Sequence, residues 1–170
     1  KETIRNNENL TWSIELSDNS YKDESFQIMD VLPDKKNDTL LSGTLSYTVC
    51  AMSCSAKAAD QSDYDGNLKM YCDGNVYTGG DMKGVKTVAL SGTAAAGGKV
   101  IWNITVQLSG ERAKDYILNH ASVLWDSDDD GIPDGNDTAL TSNYVRTDIK
   151  EMGEAKVYKS VSRISNAIGE

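Results

Sequence analysis

Apolar and polar residues alternate along much of the chain, and this alternation limits the fold more than any other feature. In residues 10–16, leucine, tryptophan, isoleucine and leucine occupy every second position, with polar residues between them. Residues 100–108 repeat the pattern with valine, tryptophan, isoleucine, valine and leucine. Successive side chains of a β-strand point to opposite faces, so both segments predict half-buried strands whose tryptophans lie in the core.

Further segments carry the same period of two, and turn residues such as Asp18, Asn19 and Gly97 separate them. These predicted strands are 26–32, 41–49, 85–90, 117–125 and 144–150. A chain of 170 residues can bury one core of this kind but is too short for two full ones. We therefore predict an all-β domain at residues 1–150, built as a β-sandwich of about seven to nine strands.

The segment 126–137 is strongly acidic, and its oxygen-bearing residues recur at the spacing of a calcium-binding loop. Ca²⁺ takes about six to eight oxygen ligands, so a short loop must curl around it and present carboxylates on alternate residues. Gly131, at position six of the loop, permits the bend. The predicted metal ligands are Asp126, Asp128, Asp130, Ile132 through its carbonyl, Asp134 and Asp137. A solvated acidic turn that binds no cation is the alternative.

The flanks of this loop are strand-like, and Pro133 stands where helix-loop-helix calcium proteins have an apolar residue. The loop therefore resembles the Asp-rich calcium repeats of extracellular proteins such as thrombospondin type 3 repeats. A complete set of oxygen ligands leaves little open coordination for a substrate. We expect Ca²⁺ here as a structural ion.

Residues 51–84 are polar and rich in glycine and aspartate, and they predict a long insertion between two core strands. Cys50, Cys54 and Cys72 lie in or next to this insertion. Their spacing fits neither a zinc site nor a Cys-x-x-Cys redox motif, and a calcium loop favours an oxidising, extracellular compartment. One disulfide is therefore expected, Cys54 with Cys72 in preference to Cys50 with Cys72. Reduced, buried cysteines are the alternative.

The charge of the chain limits its partners. A net charge of −9 and a pI near 4.6 argue against nucleic acid or an anionic membrane, because both require clustered Lys and Arg. No apolar run is long enough to span a bilayer and no signal-peptide pattern begins at Lys1, so we expect a soluble piece of a longer precursor. His120 has no nucleophile motif beside it, and no enzyme activity or catalytic residue is predicted.

Several phrases of the sequence occur in a familiar order. They are Asn9-Leu-Thr-Trp-Ser-Ile-Glu-Leu, Ile28-Met-Asp-Val-Leu-Pro, Leu41-Ser-Gly-Thr-Leu, Ala89-Leu-Ser-Gly-Thr-Ala-Ala-Ala-Gly-Gly, Asn119-His-Ala-Ser-Val and Ser142-Asn-Tyr-Val-Arg-Thr. Together they resemble the conserved repeat domains of bacterial cell-surface proteins, immunoglobulin-like modules strung in tandem on adhesins, pilins and stalks. The resemblance implies an immunoglobulin-like β-sandwich at the bacterial cell surface, with neighbouring repeats of the same protein as partners.

Some relatives of such modules contain a spontaneous Lys–Asn isopeptide crosslink, formed beside a buried acid. The resemblance implies three sets of candidates here. The lysine is Lys1 or Lys159, the amide is Asn119 or Asn143, and the acid is a residue such as Glu15 or Asp30. Asp30 falls on the apolar face of its predicted strand, where an unpaired carboxylate is costly. A surface lysine and a turn asparagine without a crosslink are the alternative.

The tail 151–170 predicts a linker and the first strand of a following repeat. The phrase that begins at Lys159 echoes the one that begins at Lys1, since each is a lysine-led strand running into a polar turn. An orphan strand of this kind either frays or pairs with an open sheet edge. Donation of the strand to a neighbouring domain is therefore one expected way to build a filament.

Two functions from different classes follow from these patterns. The first is a calcium-stabilised structural repeat module of a secreted or surface-anchored bacterial protein, building a stalk, fibre or filament. The second is an adhesive module that binds a host protein or glycan through the 51–84 insertion, with Tyr64, Tyr71 and Tyr77 as candidate contacts. An accessory domain of an extracellular hydrolase, which would bind polysaccharide, is a third class.

Overall fold

The computed structural model describes residues 2–33, 44–112, 116–135, 137–148 and 154–163. Within these ranges every regular element is a β-strand, so the all-β prediction is confirmed. The same ranges hold no helix long and apolar enough to cross a membrane. The strands are β1 (Glu2–Asp18), β2 (Glu24–Val31), β3 (Thr44–Lys57), β4 (Lys69–Cys72), β5 (Asn75–Val76), β6 (Met82–Lys83), β7 (Thr87–Ala94), β8 (Lys99–Arg112), β9 (Tyr116–Asn119), β10 (Ser122–Trp125), β11 (Thr138–Thr141), β12 (Val145–Asp148) and β13 (Glu154–Arg163).

The strands form three sheets. Five strands follow the order β13-β1-β8-β3-β6, six follow β11-β10-β2-β7-β4-β5, and β12 pairs with β9 alone. Among the described strands, β1 and β13 are the one parallel pair, with Asn9 opposite Glu154 and Asp18 opposite Arg163. The first and last strands of the described chain are therefore neighbours in one sheet.

The two larger sheets contribute to one hydrophobic core. Trp12 and Ile14 of β1 lie opposite Ile104 and Trp102 of β8, and all four side chains are fully buried. Burying one aromatic side chain removes about 150–250 Å² from water, which at roughly 25 cal/mol per Å² stabilises the fold by about 4–6 kcal/mol. The two alternating stripes predicted from the sequence thus form the centre of the core.

The first part of the segment predicted as an insertion between core strands is itself core strand. Residues 51–57 belong to β3, a core strand that pairs with β8 as far as Lys57, and β4 to β6 add short strands to the two larger sheets. The register shifts between Val49 and Ala51, so Cys50 is the extra residue of a β-bulge. A one-residue bulge reverses which positions face the core, so Met52 is buried where simple alternation from Val49 would expose it.

Two predicted segments also differ in detail. Residues 117–125 form two strands that belong to different sheets, because the chain leaves β9 at His120 and enters β10 at Ser122. The tail, where the sequence predicts a linker and the first strand of a following repeat, supplies β13. Residues 41–43, 149–153 and 164–170 of the predicted strands and tail lie outside the described residues.

Candidate functional site: a buried lysine cluster and an acidic loop

Lys159 lies inside the core. It sits opposite Ile14 in the β1–β13 ladder, on the face that also buries Val161, and its side chain is 0% exposed. Alternation along β13 places an apolar residue at such a position, and a lysine is almost never fully buried without a partner. The position therefore requires a specific acceptor for the ammonium group.

The acceptor is Asp30 of β2. Lys159 Nζ forms an ion pair with Asp30 Oδ2, and the same oxygen accepts a hydrogen bond of 3.1 Å from Asn119 Nδ2. Asp30 is 0% exposed and Asn119 is 2% exposed. Lys159, Asp30 and Asn119, the buried triad, come from β13, β2 and β9, so this cluster joins strands of all three sheets.

Burial shifts both ionisable groups of the triad toward their neutral forms. Desolvation raises the pKa of Asp30, against the opposing effects of Lys159 and Asn119. Desolvation also lowers the pKa of Lys159, against the attraction of Asp30. A neutral amine has a free lone pair and is a nucleophile, whereas an ammonium group is not. Asp30 Oδ1 has no hydrogen-bond partner in the part of the chain that the structure describes.

The amide of Asn119 is oriented by the chain that follows it. Asn119 Oδ1 accepts a hydrogen bond of 2.9 Å from the backbone N–H of His120. This bond turns the carbonyl oxygen toward a donor and the Nδ2 group toward Asp30. A main-chain donor can stabilise negative charge on such an oxygen. Because backbone groups are present at every position, the sequence carried no sign of this one.

The other crosslink candidates are placed elsewhere. Asn143 is exposed, and its Oδ1 accepts a hydrogen bond of 2.9 Å from the backbone N–H of Ser160. Glu15 lies on the outer face of β1, between the buried Ile14 and Leu16. Lys1 lies outside the described residues. Of the alternatives that the sequence left open, the structure therefore brings together Lys159, Asp30 and Asn119.

The acidic loop closes a hairpin. Trp125, the last residue of β10, pairs with Thr138, the first of β11, so residues 126–137 connect two adjacent strands. Carboxylate oxygens of Asp126, Asp128 and Asp130 lie within 4.8 Å of one another, and this cluster could hold a metal ion. All the donors are oxygens, which hard cations such as Ca²⁺ and Mg²⁺ prefer.

Backbone geometry explains why the loop brings these three carboxylates together. Gly131 has φ of 86°, a left-handed conformation that side chains disfavour, as its predicted role in the bend requires. Asp126 accepts hydrogen bonds from the amides of Asp130 at 3.1 Å and Gly131 at 2.8 Å. The Asp130 amide lowers the pKa of Asp128, but desolvation and the carboxylates of Asp130 and Asp137 together raise it above its ordinary value.

The remaining predicted ligands have other contacts in this structure. Asp137 accepts hydrogen bonds from the amides of Ser127 at 2.9 Å and Asp134 at 2.7 Å, which ties the two ends of the loop together. These amides, that of Asp134 first, lower the pKa of Asp137. Ile132 donates its own N–H to Asp130 at 2.8 Å. Asp134 and Asp137 lie outside the group of three aspartates, and the carbonyl of Ile132 stays a predicted ligand.

The predicted disulfide is not formed. Cys50, Cys54 and Cys72 all lie in the described part of the chain and are free thiols. Cys50 occupies the bulge of β3, and its Sγ lies 3.6 Å from the carbonyl oxygen of Thr48. Burial, together with the charge of Asp73, raises the pKa of Cys72 to about 11. The alternative of reduced cysteines therefore describes this structure.

Iodoacetamide at pH 8 is expected to modify Cys72 much more slowly than Cys50 or Cys54 in the folded protein. The thiolate is the reactive form, and Cys72 is 2% exposed, with a pKa of about 11. Peptide mapping over a time course measures the three rates, and guanidinium should equalise them. If Cys72 is modified as fast as Cys50, the burial of Cys72 is contradicted. If two of the cysteines react only after a reductant is added, the predicted disulfide forms after all.

The tyrosines proposed as adhesive contacts are partly buried. Tyr64 and Tyr77 pack against the hydrophobic core, with their hydroxyl groups bonded to Asp23 at 3.1 Å and to the carbonyl of Gly80 at 3.0 Å. Tyr71 is half-buried in β4. These contacts stabilise the 58–84 segment, and adhesion through it stays a prediction.

Comparisons of this chain with protein-family models, with curated proteins and with solved structures found no match.

Proposed function

We propose that this chain is a structural module of a secreted or surface-anchored bacterial protein, an immunoglobulin-like β-sandwich that carries load in a stalk, fibre or filament. The observation that carries the proposal is the buried triad, in which a lysine of the last described strand meets an acid and an amide from two other sheets. We propose that the triad forms a Lys159–Asn119 isopeptide bond and that Ca²⁺ binds the acidic loop.

The proposed reaction balances without an external reagent. Lys159 Nζ attacks Asn119 Cγ, and the backbone N–H of His120 stabilises the negative charge that develops on Oδ1. Asp30, in contact with both nitrogens, takes a proton from Nζ and delivers one to Nδ2. The Cγ–Nδ2 bond breaks and ammonia leaves, so the product contains one new amide bond in place of the original one. Exclusion of water from the core protects the neutral amine before the reaction.

The strand topology supports a mechanical role. β1 and β13 are adjacent and parallel, so pulling the two ends of the chain apart draws β1 backward and β13 forward. This load shears the ladder between Asn9 and Asp18, and all its hydrogen bonds must break together instead of one after another. A covalent bond at Lys159 would hold β13 in place after those hydrogen bonds had broken. It would also remove residues 120–158 from the path of the force.

Calcium would stabilise the same module at a different place. Asp126, Asp128 and Asp130 lie at the start of the β10–β11 hairpin loop, and their mutual repulsion opposes its closure. A bound divalent cation turns this repulsion into attraction. Extracellular calcium-binding modules typically have dissociation constants of about 10⁻⁴–10⁻³ M, which suits a permanent structural ion outside the cell.

Intact mass spectrometry tests the proposal directly. The purified chain is expected to be lighter than its sequence mass by about 17 Da, the mass of the ammonia released when a lysine nucleophile displaces an amide. A proteolytic digest should then contain one branched peptide that joins Lys159 to Asn119. A Lys159→Arg variant provides the matched control, because it keeps the positive charge and lacks the amine. A full sequence mass with no branched peptide would rule out the crosslink.

A further inference from the structure

We propose that the position of β13 in one copy of the chain can be filled by β13 of a second copy, so that Lys159 of the donor bonds to Asn119 of the acceptor. Copies would then be joined by a covalent bond across their interface. The inference deepens the proposed function and rests on it for the crosslink, although strand exchange itself does not require the bond.

Every partner of β13 belongs to another element. The strand pairs with β1 along Glu154–Arg163, Lys159 meets Asp30 and Asn119, and the backbone N–H of Ser160 is held by Asn143. β13 lies at the edge of its sheet and has β1 as its hydrogen-bonded neighbour there. The partners of β13 can make the same contacts with β13 of a second copy, because that strand has the same sequence.

The position is costly to leave empty. Without β13, the inner face of β1 would lose the cover of Lys159 and Val161, and Asp30 would keep its buried position without its cation. The free edge of β1 would also expose a row of unpaired backbone groups, which is the usual template for a strand from another chain. A copy whose own strand is absent or displaced therefore has a strong preference for a second strand of the same sequence.

The order of the strands makes the exchange geometrically simple. β13 is the last strand in the described topology and pairs along one edge, so its departure moves no other described strand. Exchange of an identical element between copies is a low-cost route to association. The phrases that begin at Lys159 and Lys1 are similar. In a protein made of tandem modules, similar strands would therefore occur at successive module boundaries.

In a single free copy, the chain's own β13 is expected to occupy the position beside β1 in preference to β13 of another copy. A strand tethered to its site has an effective concentration in the millimolar range, and the crosslink then makes the closed form permanent. Exchange therefore has to occur during folding, before the bond forms. This order of events predicts that covalent oligomers increase with the protein concentration during refolding.

A complementation experiment tests the exchange with full-length chains. One variant, Lys159→Met, keeps Asp30 and Asn119 but has no amine; the other, Asn119→Ala, keeps Lys159 but has no amide to receive it. Refolded together at high concentration, they should give a heterodimer that survives denaturing electrophoresis, with the summed mass less about 17 Da for one displaced ammonia. Neither variant alone should give this band, and adding Asp30→Asn to the Lys159→Met chain should remove it.

Wild-type chains provide a second measurement that does not depend on how the variants fold. Light and ¹⁵N-labelled wild-type chains refolded together should give mixed-isotope covalent dimers whose fraction rises with concentration. Wild-type monomers that lose about 17 Da while no mixed dimer forms would overturn the exchange and leave the crosslink intact. Mixed dimers seen by native mass spectrometry that separate on denaturation would support the exchange and reject the crosslink. Monomers alone under both conditions would overturn the exchange.

Discussion

Replacing Asp30 with asparagine is expected to abolish the Lys159–Asn119 bond and to lower the free energy of unfolding by about 4 kcal/mol. Asparagine has the shape of aspartate but cannot accept and return a proton at pH 7, so the full sequence mass should reappear. A crosslink between these positions closes a loop of about 40 residues, and the chain-entropy relation used for disulfides gives about 4 kcal/mol for that length. In a domain of this size the melting temperature should fall by roughly 8–16 °C.

A double variant separates the covalent bond from a mere buried ion pair. Replacing Lys159 with methionine and Asp30 with leucine removes both charges and fills the same space with apolar atoms. If the triad were only an ion pair, this change would be close to neutral or stabilising, because apolar replacement of buried pairs commonly is. If the bond forms, the double variant loses it and is expected to melt well below the wild type. Calorimetry together with intact mass distinguishes the two cases.

The control for these variants is Asp65→Asn. Asp65 is exposed, and its carboxylate accepts a hydrogen bond of 3.0 Å from the backbone N–H of Asn67. The same chemical change there should alter the free energy of unfolding by about 0.5 kcal/mol or less. If the Asp30→Asn variant shows the same mass loss as the wild type, then the Asp30 carboxylate is not required for proton transfer in the reaction.

Calcium is expected to raise the free energy of unfolding by about 2.7 kcal/mol when its concentration is 100 times the dissociation constant, because the ion binds the folded loop and not the unfolded chain. The corresponding rise in melting temperature is roughly 5–10 °C for a domain of this size. Thermal unfolding in calcium and in chelator measures the difference. Asp130→Ala should reduce it strongly, since Asp130 contributes one of the three clustered carboxylates.

Asp129→Asn is the matched control within the same loop. Asp129 carries an equal charge next to the cluster, but its carboxylate pairs with Lys22 at 2.8 Å and lies outside the group of three. Its replacement should leave the response to calcium nearly unchanged. Equal melting in calcium and chelator for the wild type would contradict the calcium proposal. A larger response to Mg²⁺ than to Ca²⁺ would identify a different ion, since Mg²⁺ demands a smaller octahedral site.

Part of the buried triad could be anticipated from local pattern. Asp30 stands on the buried face of its strand, two residues after Ile28, where alternation requires an apolar side chain. That conflict marked it as an acid in need of a partner. The partner could not be chosen, because Lys1 and Lys159 begin similar phrases and Asn119 and Asn143 both lie in or next to predicted strands. Local sequence contains no information on which of two equivalent strands occupies a distant edge.

The bulge at Cys50 shows a second limit of the sequence pattern. The apolar positions before and after it differ by one residue in phase, so alternation from Val49 does not predict that residues 51–57 continue β3. A bulge adds one unpaired residue to a strand and shifts the following side chains to the opposite face. Only the pairing with β8 reveals that Met52 and Ala56 continue the buried face.

Local sequence pattern accounts for the strands and for the acidic loop. Period-two alternation decides which face of each strand is buried, because the pleat assigns successive side chains to opposite sides. Carboxylate spacing likewise brings Asp126, Asp128 and Asp130 together, since a short loop leaves them few other places. Tertiary structure alone decided that β13 lies parallel to β1 and that Lys159, Asp30 and Asn119 meet. Contacts between residues 89 and 129 positions apart depend on how whole sheets pack, and short-range sequence pattern does not specify that packing.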